Sequence, residues 1–356
     1  MIRTIALRPL VAPLAAPLVA PFAVLLALFA SLPATAATLP EALQAADQRT
    51  GVVTAGLDLG DAERSLERTV ADPSALRLER LQARQGVELA TAQLRAARFE
   101  AYTDIASAYV QVLEAEAGRA LAEDAAALAQ RGLDIARIRL ERGAGTELDV
   151  RDAETDLASA RSDLASARQG EALARRSFTS LTGLGADDLA PVPGELLATE
   201  LPNENALYGR LDQAPTLLQA AHGVALARTA RELLDPAYAP ARDIEAAELS
   251  VTQAREGLGE ARRGLELQLR SLIDRVAAAR DGLAVARDAL DNARDRDDVD
   301  RSRLEAGLIA EITYDQTRLA TAQARLSAMQ ARHELLLALL RLQSDTGVPL
   351  EGVDGF

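Results

Sequence analysis

The chain has 356 residues and is rich in Ala, Leu, Arg and Glu, with only 3% aromatic residues and no Trp. This composition is typical of long helices packed through small side chains, and less so of a globular core built on large rings. The absence of Cys and the presence of only two His exclude a disulfide framework and argue against cysteine- or histidine-rich metal sites. The formal net charge of −14 would repel nucleic acid, so no nucleic-acid partner is expected.

The first 37 residues are predicted to be a secretory signal peptide. Arg3 and Arg8 form a basic start, a proline-interrupted apolar run follows, and Ala34-Thr35-Ala36 fits the small-x-small cleavage rule. A transmembrane anchor is the alternative interpretation. The uninterrupted apolar run, residues 22–32, is too short to span a bilayer, which favours cleavage and export.

A first helical-hairpin repeat is predicted over residues 38–184. Asp72-Pro73 breaks the helical pattern near its start, Gly143 lies at the turn of the hairpin, and Gly183 follows the last helix as a C-cap. The proline-free stretch before the turn predicts a very long helix. The predicted helices of this repeat are about 61–70, 74–141 and 147–181.

A Pro- and Gly-rich linker, residues 185–205, leads to a second predicted repeat over residues 206–348. It has its own break at Asp235-Pro236 and its own glycine turn at Gly307. A C-terminal tail, residues 349–356, completes the chain. The predicted helices of the second repeat are about 214–234, 242–305 and 311–345.

The two repeats are related by a constant offset. Gly307 lies 164 residues after Gly143, and the same offset holds without a gap over a long span. Internal symmetry of this length indicates a tandem duplication of one structural unit. The first-copy residues with an identical residue in the second copy include Ser107, Val112, Arg139, Leu140, Glu141, Glu147, Ala160, Arg161, Ala167, Arg168, Ser180, Thr182 and Gly183.

The hydrophobic periodicity within each repeat predicts an all-α fold of long antiparallel coiled-coil hairpins. Small and apolar residues recur at alternating steps of three and four, and His333 occupies one of these positions, which predicts a packed core histidine. Tyr102 and Tyr109 are seven residues apart and are also predicted to pack in a seam. The seam positions are Ala153, Leu157, Ala160, Leu164 and Ala167; Leu265, Leu269, Leu272, Val276, Ala279, Leu283, Ala286 and Leu290; and Leu319, Ala322, Leu326, Met329, His333, Leu336 and Leu340.

No catalytic arrangement is found in the sequence. There is no phosphate-binding loop, no nucleophile elbow and no metal-ligand pair at helical spacing. An enzyme is therefore not predicted, and neither a cofactor nor a metal is expected.

The order of these features resembles the TolC-type outer-membrane efflux protein family. Its motif of a glycine, Leu-Asp-Val-x-x-Ala and a heptad helix ending near Leu-x-Gly reads here as Gly143, Leu148-Asp149-Val150 and Leu181-Thr182-Gly183. "IASAYVQVLEAE", residues 105–116, resembles the family's Ala-Tyr-x-x-Leu-x-Ala helix, and "LPEALQAA", residues 39–46, resembles its usual mature start. The resemblance spans nearly all of the mature chain.

The resemblance implies a trimer that forms a helical tunnel across the periplasm and opens through a strand barrel in the outer membrane. The family's strands lie between the first two helices of each repeat. Here those places hold only residues 70–74 and 234–240, too short for two transmembrane strands each. The expectation is a TolC-like α-barrel protomer without membrane strands, whose insertion in the membrane is doubtful. Its location would be the outer membrane by resemblance, or the periplasm because the strands are missing.

The resemblance also implies that the glycine turns are periplasmic tips that contact an adaptor protein. The candidate contact residues are Gly143, Gly145, Leu148, Gly307 and Ile312. The family narrows its pore with acids just after a tip, and Asp149 and Asp152 fit that pattern. Acids at a helix start are alternatively explained by the helix dipole.

Two functions remain open at this point. The leading hypothesis is an efflux tunnel component that conducts small molecules or exported substrates with an adaptor and an inner-membrane pump. The alternative is a secreted coiled-coil scaffold or spacer of the cell envelope that has lost the strands. Missing strands favour the scaffold, whereas two intact glycine tips favour retained adaptor contact.

Overall fold

The computed structural model describes residues 37–194 and 203–346. Residues 1–36 of the predicted signal peptide, part of the predicted linker and the predicted C-terminal tail lie outside the described residues. All the regular elements of the described part are helical, as the predicted all-α class requires. In chain order they are α1 (Leu39–Leu43), α2 (Thr50–Ala71), α3 (Arg77–Glu141), α4 (Glu147–Thr182), α5 (Glu204–Arg210), α6 (Pro215–Glu232), α7 (Ala241–Glu305) and α8 (Glu311–Thr346), with short 3₁₀ turns after α1 and α5.

The four long helices end within a few residues of their predicted limits, whereas α2 is much longer than predicted. It begins at Thr50 instead of about residue 61. Gly51, Gly56 and Gly60 each disfavour a helix by roughly 1 kcal/mol relative to Ala, which hides its first half from sequence reasoning. Packing against α3, with Val52 buried, offsets that cost.

The fold is organised by two 65-residue helices, α3 and α7, each about 98 Å long at 1.5 Å per residue. Helices α2 and α4 pack along α3, and helices α6 and α8 pack along α7. Since α2 precedes and α4 follows α3 across tight turns, α2 covers its first half and α4 its second half. The same holds for α6 and α8 along α7.

The two hairpins meet where α3 packs against α8. Arg131 of α3 pairs with Asp315 of α8 at 2.6 Å, and Glu114 of α3 lies 2.8 Å from His333 Nδ1 of α8. In the half of the structure that carries the glycine turns, the helices therefore follow the order α4, α3, α8, α7. Helices α4 and α7 form the two edges of this four-helix layer.

The main hydrophobic core lies midway along α3 and α7, where the N-terminal segment and the link after α4 pack across the helices. Tyr109, in the middle of α3, is fully buried, and its ring meets that of Phe178 edge-on with centroids 5.9 Å apart. The Tyr109 hydroxyl lies 3.0 Å from the carbonyl oxygen of Ala37 and 2.5 Å from that of Ala190. The Ala190 N–H also donates to the Ala37 carbonyl at 3.1 Å. Tyr109 therefore holds the start of the described chain and the link together.

The predicted seams lie on the packed faces of their helices, but not all of their positions are buried. In α7 every seam position except the half-buried Ala286 is buried. In α8 His333, Leu336 and Leu340 are buried and the four earlier seam positions are half-buried, and in α4 Leu157 alone of the predicted seam is fully buried. Tyr109 lies in the core, and Tyr102 packs against it partly buried. No helix of the described residues is apolar over enough of its length to cross a membrane.

No β-strand occurs in residues 37–194 and 203–346, where the one isolated bridge joins Ala37 and Leu189. The two places where the family resemblance implies membrane strands are short connections, residues 72–76 and 233–240. Asp72 orders the first by accepting from the N–H of Ser74 at 2.8 Å, and Asp235 orders the second by accepting from the N–H of Ala237 at 2.8 Å. The prediction of TolC-like helical repeats without these strands is confirmed for the described chain.

Candidate functional site

The first hairpin tip is a tight helix end followed at once by a helix start. The backbone of Gly143 is left-handed, with φ +71°. Its N–H donates to the Leu140 carbonyl at 2.9 Å, and the Ala144 N–H donates to the Arg139 carbonyl at 2.8 Å. This pair of bonds is a Schellman motif, which satisfies the last carbonyls of α3 and reverses the chain.

The second tip has the same construction. Gly307 has φ +70°, its N–H donates to the Leu304 carbonyl at 2.9 Å, and the Leu308 N–H donates to the Arg303 carbonyl at 2.8 Å. The first tip is also crowded at Gly145, where an added Cβ would lie only 3.1 Å from the Cβ of Arg139. The duplicated glycines therefore set one turn geometry twice.

Apolar side chains extend from both tips. Leu308 is 75% exposed and Leu148 is 63% exposed, and Ile138 in the last turn of α3 is also exposed. Ile312 is half-buried, and Gly143 and Gly307 are exposed. Of the predicted contact residues, Gly145 and Ile312 are the two that are partly covered, and the others are open to a partner.

Asp149 has a local structural role. Its carboxylate accepts from the Thr146 N–H at 2.7 Å, while the Thr146 hydroxyl accepts from the Asp149 N–H at 3.2 Å. This capping box begins α4. The hydrogen bond from the Thr146 N–H lowers the pKa of Asp149 below its ordinary value. The geometry therefore gives Asp149 a helix-capping explanation, and Asp152 one turn later is exposed.

The acid that the structure does bury near the tips is Asp315. Its side chain is 7% exposed and lies 2.6 Å from Arg131 of the first hairpin, with Arg318 at 3.9 Å. A polar cavity of about 200 Å³ opens beside this pair and is also lined by Asp124 and Asp297. Asp315 is not among the predicted site residues, because Arg131, which pairs with it, is 184 positions away in the sequence.

A second polar contact joins the hairpins nearer the midline. His333 Nδ1 lies 2.8 Å from the Glu114 carboxylate, and the His333 side chain is buried. The core position predicted for this histidine is confirmed, and its carboxylate partner was not foreseen. Among the described residues, no group of three or more His, Asp or Glu side chains is placed to hold a metal ion.

Replacing Gly143 or Gly307 with Ala is expected to lower the free energy of unfolding by about 1 kcal/mol at each site, because an L-residue is strained at these positive φ angles. An added Cβ would meet no neighbour at either position, so the loss reports backbone strain alone. Denaturant unfolding followed by circular dichroism measures it.

Gly132→Ala and Gly282→Ala are the matched controls. Both glycines lie inside long helices with open space around them. Alanine should stabilise the protein there by about 0.5–1 kcal/mol. Stabilisation at all four positions would show that the tips do not require left-handed glycine.

Comparison with known proteins gives a family-model match to the first hairpin. Residues 75–184, which comprise α3, its tip and α4, match the family model described as outer membrane efflux protein. No curated protein sequence matches the chain.

Three solved structures share the fold over most of both chains. A membrane protein from Pseudomonas aeruginosa has a TM-score of 0.61 at 15% identity, covering 87% of this chain and 93% of that one. The outer membrane protein VceC from Vibrio cholerae has a TM-score of 0.60 at 16% identity, covering 88% and 97%. The Campylobacter jejuni CmeC outer membrane channel has a TM-score of 0.56 at 13% identity, covering 87% and 85%.

At these identities the solved structures establish the fold, while the family model establishes the sequence relationship of the first hairpin. The resemblance of this chain to the TolC-type outer-membrane efflux protein family is thus confirmed, by sequence in its first hairpin and by fold over 87–88% of its length.

Proposed function

We propose that this chain is the protomer of a TolC-like efflux tunnel in the cell envelope, at the outer membrane or in the periplasm. Three copies close into the tunnel, and an adaptor protein and an inner-membrane pump act at its inner end. The chain supplies a conduit for small molecules or exported substrates and performs no chemistry. The efflux family match of the first hairpin and the shared channel fold support this general role.

The observation that carries the proposal is the open four-helix layer. Its helices follow the order α4, α3, α8, α7, and the edge helices α4 and α7 share no extended interface within the described chain. Each edge can be covered by the opposite edge of another copy. Repeating that contact around an axis parallel to the helices closes a ring, because a heterologous contact that returns to its start gives cyclic symmetry.

The exposed face of α7 supports such a contact. Leu249, Leu267 and Val285 are exposed and follow one another at intervals of 18 residues. Eighteen residues are five turns of 3.6, so the three side chains lie on one line along the helix. Exposed apolar residues on the opposite edge include Leu57 of α2 and Leu173 of α4. The aligned apolar side chains give the polar outer face of α7 separate contact points for a neighbouring copy.

Leu173 and Val285 lie at about the same level along the helix axes of the layer. Arg175, two residues after Leu173, pairs with Glu116 of α3 at 2.8 Å. Leu283, two residues before Val285, lines a cavity together with Leu113 of α3 and His333. In a ring whose axis is parallel to the helices, Leu173 of one copy should therefore face Val285 of the next.

Cross-linking tests the closure. The chain has no Cys, so the double variant Leu173→Cys/Val285→Cys carries the only two thiols. Mild oxidation is expected to give disulfide-linked dimers and trimers on a non-reducing gel, and each single variant should stay monomeric. Both native side chains are exposed, so the substitutions leave the core intact.

The control variant is Leu173→Cys/Leu249→Cys. Leu249 is also exposed on the same face of α7, but it is about 54 Å from Val285 along the helix. This pair should not cross-link. Equal cross-linking of the two pairs, or none in either, would contradict the proposed ring.

The tips support the adaptor contact. Both have the same left-handed glycine geometry, and both present exposed apolar side chains, Leu148 and Leu308. Two equivalent contact points on each protomer give six in a trimer. An adaptor that recognises one turn geometry therefore has a ring of six matching sites.

A scaffold or spacer in the cell envelope is the second candidate function. The short turns at residues 72–76 and 233–240, where the family resemblance implies membrane strands, favour it. A scaffold does not require ring closure. The cross-linking experiment therefore separates the two functions, since an unlinked monomer is expected of the scaffold alone.

A further inference from the structure

A cavity of about 320 Å³ lies where the two hairpins and the link after α4 meet. Its apolar lining includes Leu113 of α3, Leu283 and Leu290 of α7, Met329 of α8 and Val192 of the link. A volume of this size and a largely apolar lining are typical of pockets that bind small molecules. The cavity therefore has the dimensions of a ligand site.

Three arginines line the same cavity, which we call the arginine cavity. They are Arg287 of α7 and Arg325 and Arg332 of α8. None of the three forms an ion pair with an Asp or Glu of residues 37–194 and 203–346. Arg332 donates to the Val192 carbonyl, whereas its Nε is buried and has no hydrogen-bond partner within the described chain. The cavity therefore combines apolar walls with positive charge that the described chain leaves unneutralised.

A lining with arginines and no acid is unusual for this chain, in which 53 acids outnumber 39 basic residues. The polar cavity near the tips has Asp297 and Asp315 beside its arginines, and a cavity of about 430 Å³ has Glu114 and Glu334 beside its own. The Glu114 carboxylate is held at 2.8 Å by His333, which also lines the arginine cavity. The charge of the arginine cavity is thus available to an anion from outside the chain.

We propose that the arginine cavity binds an anionic amphiphile, a molecule with a carboxylate or sulfonate head on an apolar chain, such as a medium-chain fatty acid. Guanidinium groups hold such a head through charge-assisted hydrogen bonds, and the apolar walls cover the chain. Arg287 and Arg325 are exposed, so the head can reach them from solvent. An inorganic anion uses the arginines alone and leaves the apolar walls uncovered.

Isothermal titration calorimetry of the native chain with decanoate, below its micelle concentration, tests the proposal. Decanoate is expected to bind at a single site per chain. Decyltrimethylammonium has the same apolar chain with a cationic head, and inorganic phosphate is an anion without an apolar chain. Each is expected to bind at least about tenfold more weakly, because each lacks one of the two groups that the cavity recognises.

The double variant Arg287→Gln/Arg325→Gln removes two of the three guanidinium groups at exposed positions. Decanoate binding should weaken about tenfold or more, since charge-assisted hydrogen bonds to the head are lost. Arg275→Gln/Arg341→Gln is the matched control. It makes the same charge change at exposed positions of the same two helices, but both residues line the cavity of about 430 Å³. Its affinity for decanoate should equal that of the native chain, and circular dichroism checks the fold of both variants.

Four results would overturn the proposal. Three of them are no binding of decanoate to the native chain, equal binding of decyltrimethylammonium or phosphate, and equal weakening in the two double variants. The fourth is binding to Glu195→Gln/Glu200→Gln but not to the native chain, which means that carboxylates of the linker occupy the cavity. The site belongs to a single chain and does not depend on ring closure, so its failure leaves the proposed tunnel to be decided by cross-linking.

Discussion

The double variant Leu269→Asp/Leu272→Asp should lose the folded second hairpin. Leu269 is 0% exposed and Leu272 is 4% exposed, and both belong to the core at the middle of α7. A carboxylate at either position is buried without a partner or must be neutralised, which costs at least about 3 kcal/mol at each site. Domain stabilities are about 5–15 kcal/mol, so the pair removes most of the free energy of unfolding. Thermal melting by circular dichroism measures the loss.

Leu267→Asp is the control for this prediction. It lies on the same helix, two residues before Leu269 and five before Leu272, but it is 71% exposed. Helix propensity changes in the same way, whereas no charge enters the core, and the effect should stay below about 1 kcal/mol. Similar melting of the double variant and the native protein would mean that the seam assigned to α7 is wrong.

Replacing Tyr109 with Ala is expected to remove about 3–5 kcal/mol from the free energy of unfolding. The side chain is fully buried, contacts Phe178 edge-on, and joins the backbone at Ala37 to that at Ala190. Tyr238→Ala, at an exposed position, should change stability very little. Denaturant titration compares the two, and equal losses would contradict the central role of the midline core.

The hydroxyl of Tyr109 has its own pH signature. Burial raises the pKa of Tyr109 from its ordinary value of 10.0 to about 12. Between these values the unfolded chain loses this proton while the folded chain keeps it, so the native protein should lose stability as pH rises from about 10 to about 12. In Tyr109→Phe this contribution is absent. A native pH profile that parallels the Tyr109→Phe profile through that window would contradict the assignment.

Local patterns were sufficient to predict most of the helices and both tips. The three-four periodicity of α7 predicted most of its buried side chains, because a seam is a property of one helix and its antiparallel neighbour. In α8 it predicted only three of the buried side chains, since α8 packs on α3 as well as on α7. The Schellman turns at Gly143 and Gly307 were predictable for a related reason. The left-handed position that ends a helix is usually glycine, and the duplication places a glycine at the equivalent position of the second repeat.

The remaining features depend on contacts between distant segments. The first half of α2 contains three glycines, and its helix is supported by packing on α3 that no local pattern reveals. The order of the helices follows from the α3–α8 contact, in which Arg131 meets Asp315 across the two repeats. Asp149 was a candidate pore acid by resemblance, whereas the structure shows that it caps α4 through Thr146. A pore position would depend on neighbouring copies, which the sequence of one chain does not specify.

The central claim is that the open layer of α4, α3, α8 and α7 closes with other copies. The most direct measurement is the mass, by light scattering, of the protein released from the cell envelope of the organism that makes it. The proposed tunnel predicts a mass of three chains that is stable to dilution. A monomer at all concentrations would contradict ring closure and leave the envelope scaffold as the function of the chain.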